Sequence, residues 1–256
     1  MRNVTIISLL LASLLLLAAL PVRAADTDPA VGAGPTAGLE RDWTNFQDDE
    51  QGLDVWDPLE PFNRGVFWFN DKLYFYALKP VARGYRAVAP EPVRESVGNF
   101  FHNLTAPVRI LNSVLQFKIT NALDELTIFC ANSTLGIGGL FDLQSGNARQ
   151  PSPEDFGQTL GFYGTPPGFY LVLPVFGSTS ARDAVGLVGD TLAAPIPSPY
   201  YVKLQTAEVV GLQTYDTVNG LSLDKDSYEA VKQDSLDPYL FVRNAYMQQR
   251  QARVEK

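Results

Sequence analysis

The chain has 256 residues, a formal net charge of −8 at pH 7, one histidine and one cysteine. The negative charge argues against nucleic acid as a partner, since DNA and RNA are bound through basic surfaces. A single cysteine excludes an intramolecular disulfide. With only one histidine as well, a zinc site of the usual His and Cys ligands is not expected.

The N terminus has the pattern of a signal peptide. Arg2 provides a positive start, an apolar run covers residues 6–20, and Pro21 follows it before a small-residue cleavage site at Ala24. The run is short for a membrane span, which needs about 20 apolar residues, although a retained anchor is the alternative. We predict that residues 1–24 are a signal peptide and that the protein is exported. Since no cysteine follows this cleavage site, a lipid anchor of the bacterial lipoprotein type is not expected.

Residues 25–57 have the composition of a flexible acidic leader. They are rich in Gly, Pro and Ala, carry an acidic surplus and lack hydrophobic periodicity. Three aromatic side chains in this segment could still dock on the folded part of the protein: Trp43, Phe46 and Trp56. We predict a single folded domain over residues 58–246, followed by a charged tail over residues 247–256.

The first predicted helix is dominated by aromatic side chains, which do not keep to one face. The seven aromatic residues are Phe62, Phe67, Trp68, Phe69, Tyr74, Phe75 and Tyr76. A helix at the surface of a soluble protein normally has one apolar face. Either both faces are buried in a large helical core, or one face lies in a lipid interface, where aromatic rings are favoured.

Prolines and glycines divide the next part of the chain. Pro80 is predicted to end the aromatic helix, Pro90 to begin a second helix, and Pro107 to open a third. A fourth helix is expected over residues 119–135. The glycine-rich segment that follows is either a plain connector or a movable element with an apolar tip, and its residues of interest are Gly136, Gly138, Gly139, Leu140 and Phe141.

The C-terminal half alternates loops and helices. Residues 155–177 are too rich in Gly and Pro for a long helix, so tight loops and one short extended segment are expected. Ser178 or Ser180 is predicted to cap a helix that ends near Ala193. After a proline-rich hinge at 194–201, the predicted helices span about 205–220, 227–234 and 238 to the tail. The whole reads as one mainly helical domain.

No catalytic motif is present in the sequence. There is no G-x-S-x-G, no H-E-x-x-H and no phosphate-binding loop. A hydrolase would have to use His102 with a serine such as Ser145 or Ser178, and nothing in the sequence positions such a pair. We therefore predict a protein that is not an enzyme and has no cofactor and no metal.

Several motifs, in the same order, resemble the MlaA family, also called VacJ. They are DPLEPFNRGVFWFN at 57–70, the segment at 79–108, NSTLGIGGLFD at 132–142, FGQTLGFYG at 156–164, the segment at 170–186 and DPYLFVRNAY at 237–246. The resemblance covers about residues 57–246, which is essentially the whole predicted domain.

The resemblance implies a fold, a location and a function. Members of this family are mainly helical, ring-shaped proteins that lie in the inner leaflet of the Gram-negative outer membrane and associate with trimeric porins. They take mislocalised phospholipids from the outer leaflet through a central amphipathic channel and pass them to a periplasmic carrier protein, which maintains lipid asymmetry. The protein is thus expected at the periplasmic face of the outer membrane.

The resemblance also implies roles for the two segments singled out above. The seven aromatic residues between Phe62 and Tyr76 would embed the first helix in the leaflet, and the glycine-rich loop at 136–141 would lie near the channel as a hinge. The missing N-terminal cysteine departs from the lipid-anchored members of the family. The alternatives are a periplasmic lipid hydrolase that uses His102 and a soluble scaffold that binds other envelope proteins.

Overall fold

The computed structural model describes residues 55–144, 151–194, 206–224 and 226–256. This part of the chain is mostly helical, which confirms the predicted fold class. The predicted signal peptide, most of the predicted leader and residues 195–201 of the predicted hinge lie outside the described residues. Among the described helices, none combines the length and the hydropathy that crossing a bilayer demands.

Nine α-helices and a β-hairpin make up the described part of the chain. The N-terminal helices are α1 (Glu60–Leu73), α2 (Lys79–Val88), α3 (Glu91–Leu115) and α4 (Ile119–Thr134). The hairpin of β1 (Tyr170–Leu173) and β2 (Gly177–Ser180) lies between α5 (Phe156–Phe162) and α6 (Ala181–Ala193). The last helices are α7 (Thr206–Leu223), α8 (Ser227–Asp234) and α9 (Pro238–Val254).

Pro80 does not end the aromatic helix, so that prediction is wrong. A single π-helical turn, Tyr74–Leu78, joins α1 directly to α2. Pro80 is the second residue of α2 and directly follows this π-helical turn, so the change of helical hydrogen bonding lies next to the proline. The chain stays helical from Glu60 to Val88.

Pro107 does not open a new helix either, because α3 runs through it. Two side chains bond with the backbone just before the proline: the Thr105 hydroxyl and the Arg109 Nη1 both donate to the His102 carbonyl, at 2.9 Å each. Pro107 itself has no N–H to donate to the Asn103 carbonyl four residues earlier, so α3 continues with one backbone hydrogen bond fewer. The second and third predicted helices are therefore one helix of 25 residues.

The other predicted elements agree more closely. Helix α4 begins at the predicted residue, α8 has the predicted bounds, and Ser180 caps α6 by accepting a hydrogen bond from the Asp183 N–H at 3.1 Å. The predicted extended segment is present as β1. Helix α5 was not predicted; the Asp155 carboxylate caps it by accepting from the Gln158 N–H at 2.9 Å.

Two asparagines of α1 cover the free edge of β1. Asn63 donates to the Tyr170 carbonyl at 3.0 Å and accepts from the Val172 N–H at 2.9 Å. Asn70, seven residues later, donates to the Leu173 carbonyl at 3.0 Å and accepts from the Val175 N–H at 2.9 Å. Asn63 is fully buried, and its contacts satisfy backbone groups that would otherwise lack partners.

The hairpin also forms the centre of a small core. Tyr170 and Val172 pack with Tyr239 of α9, and partly buried side chains surround them: Val55, Val66, Phe67, Leu240, Tyr246 and Met247. The last residues of the predicted leader belong to this assembly, since the Asp57 carboxylate accepts from Asn63 Nδ2 at 2.8 Å and from the Tyr239 hydroxyl. Helix α9 likewise continues through most of the predicted charged tail.

Candidate functional site

The described residues invert the usual arrangement of a soluble protein. Twenty polar or charged residues are buried there, against 11 hydrophobic ones, and no Leu, Ile, Phe or Trp is among the fully buried residues. Large apolar side chains lie outside instead. In water-soluble proteins these side chains are the ones most often buried, so this surface is suited to an apolar environment.

The exposed apolar residues form stripes at helical spacing. Helix α4 exposes Ile119, Leu123 and Leu126, and α6 exposes Val185, Val188 and Leu192. Both spacings place the three side chains of a helix on one face. Nothing in the described part of the chain covers these stripes, so each helix presents an unpartnered apolar face.

The aromatic helix is divided between exposed and packed side chains. Four of the seven predicted membrane-embedding residues are exposed, and Tyr76 is the most exposed at 79%; the others are Phe62, Trp68 and Phe69. The Lys72 ammonium lies 5.9 Å from the centre of the Trp68 ring and 6.0 Å from that of Tyr76. A cation beside exposed rings is the arrangement expected where phosphate groups border an apolar layer.

The other three aromatic residues pack against the protein. Phe67 contacts Tyr239 with ring centres 5.7 Å apart. Tyr74 packs on Tyr228 at 5.0 Å, and Phe75 packs on the same ring at 6.1 Å. The rings of this helix therefore divide between a side that packs on the protein and an exposed outer side, and the lipid contact of the outer side stays a prediction.

The glycine-rich loop is a folded C-terminal cap of α4. Gly138 and Gly139 have positive φ angles of 73° and 93°, a conformation that glycine adopts without strain. The loop is closed by the Asn132 side chain, which donates to Asp142 at 3.1 Å and accepts from the Leu143 N–H at 3.0 Å. A Cβ on Gly139 would lie 2.4 Å from the Asn103 side chain of α3, so the loop packs closely on that helix.

Of the predicted loop residues, Phe141 is exposed and Leu140 is half-buried, whereas Gly136 and Gly139 are buried. The hinge role of this loop stays a prediction.

A cavity of about 420 Å³ opens between α3, α6, α7 and α9. Its volume lies in the range of small-molecule sites, about 300–1,000 Å³. Helix α3 contributes one face and α7 another, and the segment before α5 completes the wall. The apolar lining residues are Phe101, Leu104, Val108, Pro153, Ala194, Val209 and Leu212, and the polar ones are Thr105, Arg109, Glu154, Asp155, Asp190, Thr191, Gln213, Asp216 and Arg253.

The cavity was not predicted from the sequence. The lining residues of α3 recur at i, i+3, i+4, i+7 and i+8 from Phe101, and those of α7 at i, i+3, i+4 and i+7 from Val209. This spacing places the residues of each set on one face of a helix. The mixture of apolar and polar residues on that face is the sequence pattern that could have indicated the cavity. The predicted loop residues at 136–141 do not line the cavity.

Buried ion pairs hold the cavity wall in place. Arg109 of α3 binds Glu125 of α4 with two hydrogen bonds, at 2.8 and 3.1 Å. Lys118 donates to Glu154 at 2.9 Å. These pairs stay stable in a low-dielectric setting because each charge is compensated by a partner.

Asp190 is the wall residue whose protonation changes closest to neutral pH. Burial, together with the charge of Asp155, raises the pKa of Asp190 to about 6 against hydrogen bonds from Asn112 and the Phe156 N–H. The native state thus binds a proton more tightly than the unfolded chain. Its stability should fall as the pH rises from about 4 to about 6.

We expect Asp190→Asn to raise the free energy of unfolding at pH 7 by about 1–2 kcal/mol. The variant should also lose the decrease in stability between about pH 4 and pH 6. The amide keeps an oxygen that can accept from Asn112 and the Phe156 N–H, but it carries no charge to desolvate. Denaturant unfolding of both proteins at pH 4 and pH 7 measures the effect. The exposed Asp234→Asn serves as a control and should change neither value. A variant that is less stable than the wild type at pH 7 would contradict the expectation.

His102 has no nucleophile beside it in the described part of the chain. Its imidazole forms no hydrogen bond with a described serine, and the Ser178 hydroxyl pairs with the Tyr170 hydroxyl at 2.7 Å. The desolvation of the ring, together with the charge of Arg109, lowers the pKa of His102 to about 4, so the ring is neutral at pH 7. Ser145 lies outside the described residues. No group of His, Cys, Asp and Glu in the described ranges could hold a metal ion.

Comparison with known proteins gives consistent results. The profile of the MlaA lipoprotein family matches residues 55–253. The intermembrane phospholipid transport system lipoprotein MlaA of Escherichia coli K12 is 35% identical over 204 residues, which cover 78% of each chain. The protein of the same name from Haemophilus influenzae is 30% identical over 213 residues, covering 82% of this chain and 84% of that one.

A solved structure supports the same relationship. It concerns the maintenance of bacterial outer membrane lipid asymmetry, and one of its chains is 34% identical to this protein with a TM-score of 0.67. The match covers 77% of this chain and 98% of that chain. Profile, sequence relatives and fold thus agree with the motifs, and the chain belongs to the MlaA family.

Proposed function

We propose that this protein transports phospholipids between membranes and thereby maintains the lipid asymmetry of the Gram-negative outer membrane. The relatives named for intermembrane phospholipid transport support this function. The structural observation that carries it is the inverted distribution of side chains, with apolar residues outside and polar residues within. A soluble scaffold has no need of such a surface, whereas a protein that lies among lipids does.

The exposed aromatic residues of α1 and the apolar stripes of α4 and α6 would lie in the inner leaflet of the outer membrane. Burial of apolar side chains at an interface can hold a protein with an overall negative charge on a membrane. Lys72 would then meet lipid phosphates. No spanning helix is needed for this placement, because the protein occupies one leaflet.

The amphipathic cavity would provide the path for the lipid. Its apolar wall residues suit acyl chains, and its polar ones suit a headgroup. Phospholipids that have strayed into the outer leaflet would enter this path and pass to a periplasmic carrier protein. A trimeric porin is the proposed partner in the membrane. Transport through the cavity is passive here, since the chain has no nucleotide-binding motif.

Thr191→Trp tests whether lipids pass through the cavity. Thr191 lines it, is exposed there, and bonds its hydroxyl only to the Leu187 carbonyl of its own helix, at 2.7 Å. An indole at this position would fill part of the cavity without breaking a tertiary contact. With the variant replacing the chromosomal copy in the native host, we expect a several-fold rise in surface-exposed phospholipid, close to the level of a deletion. Accessibility to an added phospholipase measures it.

Thr127→Trp is a matched control. Thr127 is also exposed on a helix and bonds to a carbonyl four residues earlier, Leu123, at 2.8 Å, but it does not line the cavity. Cells with this variant should keep the wild-type level of surface phospholipid at equal protein abundance. If Thr191→Trp cells also kept that level, the lipid would not use this cavity.

A further inference from the structure

The cavity wall holds a carboxylate without a partner. Helix α7 contributes Val209, Leu212, Gln213 and Asp216 to the lining. Asp216 forms no hydrogen bond and no ion pair within the described residues, and burial raises its pKa. The residue is nevertheless exposed, and it lines the cavity. A carboxylate in this position is available to a ligand that enters.

A second acceptor in the same wall is also unsatisfied. The Glu154 side chain is 1% exposed, and its Oε1 accepts from Lys118 at 2.9 Å. Its Oε2 is buried and has no donor among the described residues. A buried oxygen without a donor is unusual in a folded protein, so a ligand with N–H groups would complete its hydrogen bonding.

Cations at the wall already form ion pairs with other carboxylates. Arg109 forms an ion pair with Glu125, and Arg250 forms one with Asp155. Asp190 accepts hydrogen bonds from uncharged groups, the Asn112 amide and the Phe156 N–H, and forms no ion pair within the described residues; Arg250 acts on its charge only from a distance. The cavity wall therefore has an excess of negative charge, which a positively charged group of a ligand would balance.

We propose that the cavity selects phospholipids with a primary ammonium headgroup, as in phosphatidylethanolamine, and that Asp216 is the specificity-determining residue. This inference rests on the proposed function. The ammonium supplies a positive charge and three N–H donors, which match the Asp216 carboxylate and the free Glu154 Oε2. An anionic glycerol headgroup would be repelled by the carboxylates.

Binding of single phospholipids to the purified full chain in detergent tests the proposal. Phosphatidylethanolamine, phosphatidylglycerol and phosphatidylcholine with identical acyl chains compete for the protein, and native mass spectrometry counts the bound molecules. We expect the ethanolamine lipid to be preferred over the glycerol lipid by about tenfold, a difference that one carboxylate–ammonium contact can supply. The choline lipid should bind less well than the ethanolamine lipid, because its nitrogen has no N–H.

Substitutions at position 216 distinguish recognition from a structural effect. Asp216→Asn should lower the preference to about twofold or less, and Asp216→Lys should reverse it in favour of the glycerol lipid, which a merely destabilised protein cannot do. Asp234→Asn makes the same change of charge on the surface and should leave the preference unchanged. An unaltered preference in Asp216→Lys would overturn the proposal.

Three other results would overturn the proposal while leaving phospholipid transport in place. These are equal binding of ethanolamine and glycerol lipids, equal binding of ethanolamine and choline lipids, and displacement of the ethanolamine lipid by an equal concentration of free ethanolamine. The last would show that the amine alone is the ligand. A chain that binds no phospholipid and whose Thr191→Trp variant has no effect in cells would instead contradict the proposed function.

Discussion

Arg250→Ala is expected to lower the free energy of unfolding by about 3–5 kcal/mol, the cost of removing one partner from a buried ion pair. The Arg250 guanidinium, 10% exposed, bonds two carboxylates. It donates to Asp155 at 2.6 and 2.9 Å and to Asp183 at 2.9 and 2.8 Å. Asp155 caps α5 and Asp183 lies in the first turn of α6, so one side chain of α9 joins the N-terminal ends of two other helices.

Without Arg250, both carboxylates would be left without their main cation. Burial alone raises the pKa of Asp183, but the hydrogen bonds and charge of Arg250, with smaller contributions from Tyr246 and Arg182, outweigh it and lower that pKa to about 2. The stabilisation is therefore present above about pH 4 and is lost as the pH falls towards 2. In the alanine variant the carboxylates should protonate at higher pH, and thermal unfolding followed by circular dichroism between pH 3 and 7 measures the change.

Arg250→Lys is the conservative comparison. It keeps the positive charge but loses the planar set of donors that bonds both carboxylates at once, so an intermediate loss of stability is expected. An alanine variant as stable as the wild type at pH 7 would show that the cluster contributes nothing net, as replaced buried ion pairs sometimes do.

Replacement of Trp68, Phe69 and Tyr76 by serine is expected to release the mature protein from phospholipid liposomes. These rings are exposed and stay outside the core cluster, so their loss should leave the folded state almost unchanged. If each ring is partly inserted, the three together contribute at least about 3 kcal/mol of interfacial binding, or a factor of about 100 in partition. Flotation in a density gradient measures the bound fraction.

Phe67→Ser is the matched comparison for this experiment. Phe67 belongs to the same helix but packs on Tyr239, so its replacement should reduce stability and leave the flotation of the folded protein unchanged. If the triple variant floated as well as the parent protein, the exposed rings of α1 would contribute no measurable membrane binding, and the stripes of α4 and α6 would be the next surfaces to test.

Helices were predicted correctly from the sequence where the capping residues and the hydrophobic spacing indicate the same element. Ser180, as a capping residue before an apolar run, predicts the start of α6, and hydrophobic spacing predicts α4. The predictions from Pro80 and Pro107 were wrong, because a π-helical turn precedes Pro80 without ending the helix, and α3 continues through Pro107 although that residue has no N–H to donate. Whether a helix continues at a proline depends on contacts that a local pattern does not contain.

The site was harder to predict than the helices. Arg250 lies 95 residues from Asp155 and 67 from Asp183, so nothing in its neighbourhood along the chain reveals its partners. Asp216 looks like an ordinary surface carboxylate until α7 is placed beside α3. The family resemblance implies an amphipathic passage, whereas the residues that line the cavity could be named only from the packing of the helices.

The two asparagines of α1 fix the position of that helix along the hairpin. Seven helical residues advance about 10.5 Å along the axis, and three strand residues advance about 10 Å, so Asn63 and Asn70 meet the Tyr170 and Leu173 carbonyls in the same way. The match holds for one relative position only. Sliding α1 by a residue would turn both asparagines away, so the same contacts that close the strand edge to foreign chains also fix the rotation of the helix, and with it the direction in which Trp68 and Phe69 point.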